Sequence, residues 1–148
     1  MNYPQLKLDA QICHRLYMAS NSIARAYRAS LQQLDLTYPQ YVVMMALWEK
    51  DEISIAELLK KTAIDGGAMT QILKKMTDKA LLSIVKDEQD KRKRVVKLQR
   101  KGQELQHQAA TIPEQIRCKF PSIDAQKAQA LIELLDSING DLALSEDH

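Results

Sequence analysis

Four consecutive cations, Lys91 to Arg94, are the side chains whose chemistry is easiest to assign. They lie in a segment, 86–101, that holds eight basic residues and three acidic ones. Adjacent cations repel one another, and a DNA backbone relieves this repulsion while its counterions are released. Asp90 precedes Arg92 by two residues and is expected to hold the guanidinium through a bidentate pair. We therefore predict that Asp90, Lys91, Arg92 and Arg94 contact DNA, the alternative being a charge run that is merely solvated.

A second set of DNA contacts is predicted just after Asp65, which is a good cap for a helix with its body at 69–79. The small residues that follow the cap let the backbone approach phosphates, and helix N-terminal N–H groups favour anions. The exposed face of such a helix presents polar side chains to a major groove. The predicted contacts are Gly67, Thr70, Gln71, Lys74 and Lys75. The alternative is an amphipathic helix whose polar face is only hydrated.

Two cysteines, Cys13 and Cys118, offer thiol chemistry. On composition alone, both are expected to be small buried side chains, and a permanent disulfide is not the default in a cytoplasmic protein. Because Cys13 falls near the start of a predicted helix, the positive end of that helix favours its thiolate. The thiolate is the form that peroxides oxidise to a sulfenic acid. The three histidines lack metal-ligand spacing, so neither a metal nor a cofactor is predicted.

The elements that must position these groups are mostly helices. Apolar residues recur at three- and four-residue steps in the first of them, which Asp9 is expected to cap. A capping box is predicted at Ser54–Glu57, and Pro113 is expected to kink or interrupt its helix. Helices are predicted at 8–34, 40–48, 54–61, 69–79, 101–117 and 124–143. Segments 81–86 and 93–98 alternate apolar and polar residues, which predicts a two-stranded hairpin with a charged tip.

This order of elements predicts a mainly α fold with a winged helix-turn-helix. The 148 residues, 45% hydrophobic and 27% charged, are typical of one globular chain. We assign the DNA-binding part to 36–100 and dimerisation helices to 1–35 and 101–148, because the apolar first helix needs the C-terminal helices or a second subunit to cover it. No signal peptide or apolar run of membrane-spanning length is evident, so a cytoplasmic protein without a membrane partner is expected.

Along essentially its whole length the chain resembles the multiple antibiotic resistance regulator (MarR) family. The wing motif carries this resemblance: Asp90-Lys91-Arg92 followed by Val95, Val96, Leu98 and Gly102. The resemblance implies a homodimer in which the N- and C-terminal helices interlock. It also implies a palindromic DNA operator with one recognition helix for each half-site.

The N-terminal part is similar to the organic hydroperoxide resistance regulators within that family. The similar segments are Leu8-Asp9-x-x-Ile12-Cys13-x-x-x-Tyr17, Leu36-Thr37-Tyr38-Pro39-Gln40-Tyr41 and Ala46-Leu47-Trp48-Glu49. This similarity implies a repressor whose Cys13 is oxidised by organic hydroperoxides, with Tyr27 and Tyr38 approaching from the other subunit and Tyr17 in the same cluster. A C-terminal second cysteine, as Cys118 is, resembles the two-cysteine branch, in which it traps the oxidised sulfur as an intersubunit disulfide.

The sequence departs from that pattern at Gly66–Gln71, which reads Gly-Gly-Ala-Met-Thr-Gln where Ser-Gly-Thr-Leu-Thr-Pro is common. Gln99 replaces a usual Thr cap, and Ala80-Leu81 lacks a common Gly. One alternative function is a repressor released by a small aromatic or phenolic ligand, with incidental cysteines. An enzyme with Cys13 as nucleophile is disfavoured by the absence of a base pattern, a phosphate loop or paired carboxylates. A protein-binding module is disfavoured by the basic hairpin.

Overall fold

The computed structural model describes residues 1–146, which form α-helices joined by short turns and one small antiparallel sheet. The helices are α1 (Ile12–Gln32), α2 (Tyr38–Glu49), α3 (Ile55–Thr62), α4 (Gly66–Asp78), α5 (Arg100–Ala109), α6 (Ile112–Arg117) and α7 (Ala125–Glu146). The strands are β1 (Ile53–Ser54), β2 (Leu82–Lys86) and β3 (Arg94–Leu98). The mainly α class is confirmed. The end of the segment assigned to dimerisation, 147–148, lies outside the described residues.

The chain forms two compact units, residues 1–112 and a second unit that begins at Pro113. The first unit contains α1 to α5 and the sheet. The second contains α7 and nearly all of α6.

Helix α1 begins later than the sequence predicted, and Asp9 does not cap it. Residues Pro4–Leu6 and Leu8–Ala10 form two short 3-10 turns instead. Gln11 occupies the N-cap position in an extended conformation, and its side-chain amide donates to the carbonyl of Lys7 at 2.8 Å. This bond satisfies a backbone carbonyl of the preceding turn, which ends before α1 starts. Cys13 is therefore the second residue of α1, closer to the positive helix end than predicted.

The core of the first unit is built around α2, whose near-continuous apolar run predicts burial on most sides. Tyr41, Val43, Met44 and Leu47 of this helix are all almost fully buried. Helix α2 contacts α1, α3, α4 and α5, which explains why it needs several apolar faces. Its N-terminus has a full capping box: Thr37 Oγ1 accepts from the Gln40 amide, and Gln40 Oε1 accepts from the Thr37 amide.

The sheet has the order β1-β3-β2, with both pairings antiparallel. The predicted hairpin is confirmed, although its strands begin one residue later than expected, at Leu82 and Arg94. Strand β1 was missed because two residues are too short to show an alternating pattern. Just before β1, the Asp51 side chain adds one more contact with β3, because its Oδ1 accepts from the Leu98 amide at 2.9 Å.

The predicted helix 101–117 is two helices in the structure, α5 and α6. Pro113 is the second residue of α6, where the missing N–H has no intrahelical partner to lose. Asp124 precedes α7, and its Oδ1 accepts from the Lys127 amide at 2.8 Å, so this predicted start was one residue early.

Large apolar side chains are exposed in both units. In the first unit they include Leu6, Leu8, Ile12, Tyr17, Met18 and Ile23, and in α7 they are Leu131, Ile132, Leu134, Ile138, Leu142 and Leu144. Contiguous exposed apolar surface is typical of an interaction site. None of the helices within residues 1–146 has the length and apolarity needed to cross a bilayer.

Candidate functional site

Helices α3 and α4 form the helix-turn-helix, and local caps set both helix starts. Ser54 Oγ accepts from the Glu57 amide at 3.0 Å. The predicted capping box is only half formed, because the Glu57 carboxylate pairs with Lys50 at 3.3 Å instead of returning to the cap. Ala63 ends α3 with a φ of 56°, and this left-handed residue redirects the chain toward α4.

Helix α4 presents the predicted polar face to solvent. Asp65 Oδ2 accepts from the Ala68 amide at 3.3 Å, so the predicted cap is confirmed. Met69, Leu73 and Met76 are buried on the opposite side of the helix. The exposed residues of α4 include all five that were predicted to contact DNA: Gly67, Thr70, Gln71, Lys74 and Lys75.

The first turn of α4 leaves its backbone accessible. A Cβ on Gly67 would lie 3.3 Å from Asp65 Oδ2, the atom that caps the helix, so glycine suits this position. The Thr70 hydroxyl donates to the Gly66 carbonyl at 3.1 Å. Its proton is therefore engaged within the helix, and toward a base edge this hydroxyl acts as an acceptor.

The tip of the β2–β3 hairpin holds Arg92 through Asp90. The Oδ1 atom of Asp90 accepts from the Arg92 amide at 3.1 Å and from its Nε at 3.3 Å. The prediction of a bidentate pair was wrong, since both hydrogen bonds end on Oδ1. Because the two residues are only two positions apart in a turn, Nε rather than the two terminal guanidinium nitrogens reaches the carboxylate. The two terminal nitrogens remain available, and the side chain of Arg92 is 93% exposed.

The other cations predicted to contact DNA form no ion pair in the described structure. Within residues 1–146, no carboxylate lies within 4.0 Å of Lys74, Lys75, Lys91 or Arg94, and the same holds for Lys93. Neighbouring cations are engaged: Lys97 pairs with Glu52 at 3.3 Å and Arg100 with Glu104 at 3.0 Å. Arg94 is the first residue of β3, opposite Lys86, within the segment 93–98 that was predicted as a strand. These unpaired cations suit a polyanion.

The backbone of α5 fixes the base of the hairpin. A Cβ on Gly102 would lie 2.2 Å from the Leu81 carbonyl oxygen, so only glycine fits there. The Trp48 indole donates to the Gly102 carbonyl at 3.0 Å. Gly102 was recognised as part of the wing motif. The reason for a glycine there is its close approach to Leu81, which is distant in the sequence.

Cys13 is an exposed thiol in the first turn of α1, so within one protomer it is not buried as the composition suggested. Tyr17 lies one helical turn further on the same face, and its ring stacks on His14 with centroids 6.4 Å apart. Exposure at a helix N-terminus gives an oxidant access to this sulfur.

Tyr27 and Tyr38 form a ring cluster with Tyr41, a residue that was not among the predicted site residues. The Tyr27 centroid lies 5.0 Å from that of Tyr38 and 5.7 Å from that of Tyr41. Burial, and then the charges of the two neighbouring phenols, raises the pKa of Tyr27 to about 12. Burial and Tyr38 also raise the pKa of Tyr41. Tyr27 and Tyr41 therefore keep their protons and remain hydrogen-bond donors through the physiological range.

One chain does not bring the thiol and this cluster together. Cys13 and Tyr27 are separated along α1 by about four turns, or about 21 Å. Tyr17 and Tyr27 are about 15 Å apart along the same axis. The expected grouping of Tyr17 with Tyr27 and Tyr38 is therefore not formed within a protomer, and it stays a prediction for two copies.

Cys118 directly follows α6 in the second unit, where it is exposed. Its amide donates to the Glu114 carbonyl at 3.1 Å. Its thiol donates to Glu114 Oε1 at 3.7 Å. The sulfur is accessible, but it must release this hydrogen bond before it reacts.

The family model described as transcriptional regulator SarA/Rot matches residues 25–109, more than half of the chain. The chain belongs to this SarA/Rot-type, MarR-like family. The resemblance read from the wing motif is thereby confirmed, and the regulator is DNA-binding and not an enzyme. An organic hydroperoxide resistance transcriptional regulator from Bacillus subtilis is 31% identical over 111 residues, which cover 75% of this chain and 76% of the relative.

Two solved structures extend the similarity to the whole fold. Overoxidized AbfR bound to DNA, a Staphylococcus epidermidis protein, has a TM-score of 0.74 at 25% identity and covers 93% of this chain and 96% of its own. Bordetella bronchiseptica BpsR, whose DNA binding is regulated by 6-hydroxynicotinic acid, has a TM-score of 0.83 at 25% identity, with coverage of 94% and 98%. The winged helix-turn-helix assignment is thereby confirmed.

Proposed function

We propose that this regulator is a repressor that organic hydroperoxides release from DNA by oxidising Cys13. The observation that carries the proposal is an exposed thiol at the N-terminus of α1 in a chain that is 31% identical to an organic hydroperoxide resistance regulator. The overoxidized neighbour AbfR supports oxidation as the signal in a related fold.

The oxidation step is a displacement at oxygen. The Cys13 thiolate attacks the outer oxygen of the hydroperoxide, an S–O bond forms, and the O–O bond breaks. The alkoxide leaves and takes up a proton to become an alcohol. The sulfur is oxidised to a sulfenic acid, and the peroxide is reduced.

The tyrosine cluster supplies donors for this chemistry from a second copy of the chain. Because about 21 Å of helix separates Cys13 from Tyr27 within a protomer, a phenol can reach the sulfur only across a dimer. Tyr27 and Tyr38 then donate to the thiolate, with Tyr17 beside it. The raised pKa of Tyr27 keeps its donor proton in place.

Cys118 completes the proposal as the resolving thiol of the partner chain. Its thiolate attacks the sulfenic sulfur of Cys13, the S–S bond forms, and hydroxide leaves and is protonated to water. For this to occur, the Cys118 thiol gives up its hydrogen bond to Glu114. An intersubunit disulfide then displaces the helices that hold the two DNA-binding parts.

We assign dimerisation to residues 1–35 and 101–148 and DNA binding to 36–100. The exposed apolar side chains up to and including Ile23 and those along α7 are the surface that a second copy covers. Helix α4 of each copy enters a major groove of a palindromic operator, and the hairpin with Arg92 lies beside it. Oxidation changes the separation of the two α4 helices and lowers affinity for the operator.

The test compares wild type with Cys13→Ser on a palindromic duplex selected from random DNA by the reduced wild-type protein. Cumene hydroperoxide should release wild type and leave Cys13→Ser bound. Cys118→Ser is the matched control: it should still form a sulfenic acid and should not form the covalent dimer that wild type shows on a non-reducing gel. Release of Cys13→Ser by the hydroperoxide would refute the sensor assignment.

A second candidate is release by a small aromatic or phenolic ligand. The similarity to BpsR, which 6-hydroxynicotinic acid regulates, favours it. Salicylate and 6-hydroxynicotinate should then release Cys13→Ser as well as wild type. If neither compound changes the affinity of either protein, this candidate is excluded for these ligands.

A further inference from the structure

The C-terminal end of α4 is tied to the turn between α1 and α2 by one side chain, Lys79. Its ammonium donates to the Asp35 carbonyl at 2.5 Å and to Gln40 Oε1 at 3.2 Å. The Asp35 carboxylate lies 3.6 Å from the same nitrogen. Two protein acceptors and a third oxygen therefore surround a lysine that is only 28% exposed, unlike Lys74 and Lys75 on the same helix.

The acceptor Gln40 belongs to the same first turn of α2 as two members of the tyrosine cluster, Tyr38 and Tyr41. Its side chain is almost fully buried, and its Oε1 also accepts from the Thr37 amide at 3.2 Å. Tyr38 and Tyr41 flank it in this turn, and both rings contact Tyr27. The rings and this oxygen belong to one helical turn, so a displacement of the turn together with the rings would also displace the oxygen that holds Lys79.

The other side of Lys79 is held by α5. The Lys101 ammonium donates to the Lys79 carbonyl at 3.1 Å. The Lys79 amide, in turn, donates to the Lys75 carbonyl at 3.1 Å and closes the last turn of α4. The end of the recognition helix is thus clamped between the α1–α2 turn and the helix that fixes the hairpin.

We propose that Lys79 is a positioning residue that transmits movement of the Tyr27–Tyr38–Tyr41 cluster to the DNA-reading helix α4. The response of α4 to oxidation rests on the proposed function. The effect of Lys79 on the DNA affinity of the reduced protein does not depend on it. Lys79 does not bind phosphate in this role, because protein oxygens already occupy its ammonium. It sets the orientation of α4 in the bound state and changes that orientation when the cluster moves.

The experiment measures the affinity of Lys79→Met for the selected duplex across a series of salt concentrations. Reduced Lys79→Met should bind on the order of three- to tenfold more weakly than wild type, with an unchanged salt slope. The matched control is Lys75→Met, one turn earlier and exposed: because this variant leaves one phosphate without its cation, the slope should fall by about 0.9. Lys79→Arg, which keeps charge and donors, should recover most of the affinity.

The second arm measures the fold-change in affinity after cumene hydroperoxide treatment. It should be several-fold smaller in Lys79→Met than in wild type and unchanged in Lys75→Met. If wild type does not respond, the proposed function fails, while the reduced-state arm still decides the positioning role.

Asp35→Asn is the variant to use if Lys79→Met unfolds at a lower urea concentration than wild type. It keeps the carbonyl acceptor and suits the φ of 54° at this position. It should also weaken duplex binding and reduce the response to hydroperoxide, but by less than Lys79→Met does. A salt slope reduced by about 0.9 in Lys79→Met, or an affinity equal to that of wild type, would overturn the positioning role.

Discussion

Replacement of Gly102 by alanine is the sharpest test of how the hairpin is fixed to the helices. The added Cβ would lie 2.2 Å from the Leu81 carbonyl oxygen, and 3.2 Å from both the Leu81 carbonyl carbon and Leu98 Cδ2. The closest atom is backbone, so no side-chain rotation relieves the clash. Either α5 or the segment before β2 must move by about 1 Å to restore ordinary contact.

The cost follows from three terms. Overpacking of this kind costs about 1–3 kcal/mol. The movement also weakens the bond from the Gln99 amide to the Leu81 carbonyl, which is 2.9 Å long and worth about 1 kcal/mol. Alanine returns about 1 kcal/mol of helix propensity. The free energy of unfolding should therefore fall by about 2 kcal/mol.

Urea unfolding at one fixed protein concentration measures this change, and Gly140→Ala is the matched control. Gly140 is also helical, and a Cβ there meets no atom within 4 Å, so this variant should gain about 0.5–1 kcal/mol. Gly102→Ala should also bind the selected duplex more weakly because the hairpin shifts. A Gly102→Ala protein that is stabilised to the same extent as Gly140→Ala would refute the close approach at Leu81.

Three further predictions follow from the same structure. The pKa of Tyr27, raised to about 12, implies that the folded state holds a proton that the unfolded state releases above about pH 10. The free energy of unfolding should thus be steady below pH 10 and fall as the pH rises toward 12, and Tyr27→Phe should remove part of this fall. Ala80 has a φ of 62°, so Ala80→Gly should raise the free energy of unfolding by about 1 kcal/mol in the same urea assay. Removal of the hairpin cations should weaken binding to every duplex and reduce the salt slope by about 0.9 for each phosphate that is no longer neutralised, measured by fluorescence anisotropy on the triple variant Lys91→Ala, Arg92→Ala, Arg94→Ala.

Each of these three predictions has a control variant at another position of the chain. Tyr3→Phe, at an exposed phenol, should leave the alkaline fall in place. Ala130→Gly, within α7, should cost about 1 kcal/mol instead of gaining it. Lys97→Ala removes a cation already paired with Glu52 and should leave the salt slope unchanged. An unchanged salt slope in the triple variant would mean that the hairpin does not touch DNA, and a loss of stability in Ala80→Gly would contradict the left-handed conformation.

Local chemistry made much of this protein predictable. The Asp65 cap, the polar face of α4 and the apolar run of α2 each depend on residues a few positions apart, so their patterns are visible in the chain. The basic hairpin was predictable for the same reason, since alternation and charge lie within one short segment. The missing glycine at Ala80 was also noticed, and the structure supplies its reason: Ala80 adopts a positive φ and carries the final turn of α4 into β2.

Contacts between distant segments decided the rest. Strand β1 is two residues long and exists only because β3 pairs with it. Tyr41 joins Tyr27 across two helices, Lys79 reaches oxygens of Asp35 and Gln40, and the Gly102 backbone meets Leu81. Gln11, not Asp9, set the start of α1, because its amide found carbonyl partners in the turn before it. Hydrogen bonds and ring contacts of this kind depend on where the packed elements place each atom, whereas caps and periodicity depend only on neighbours along the chain.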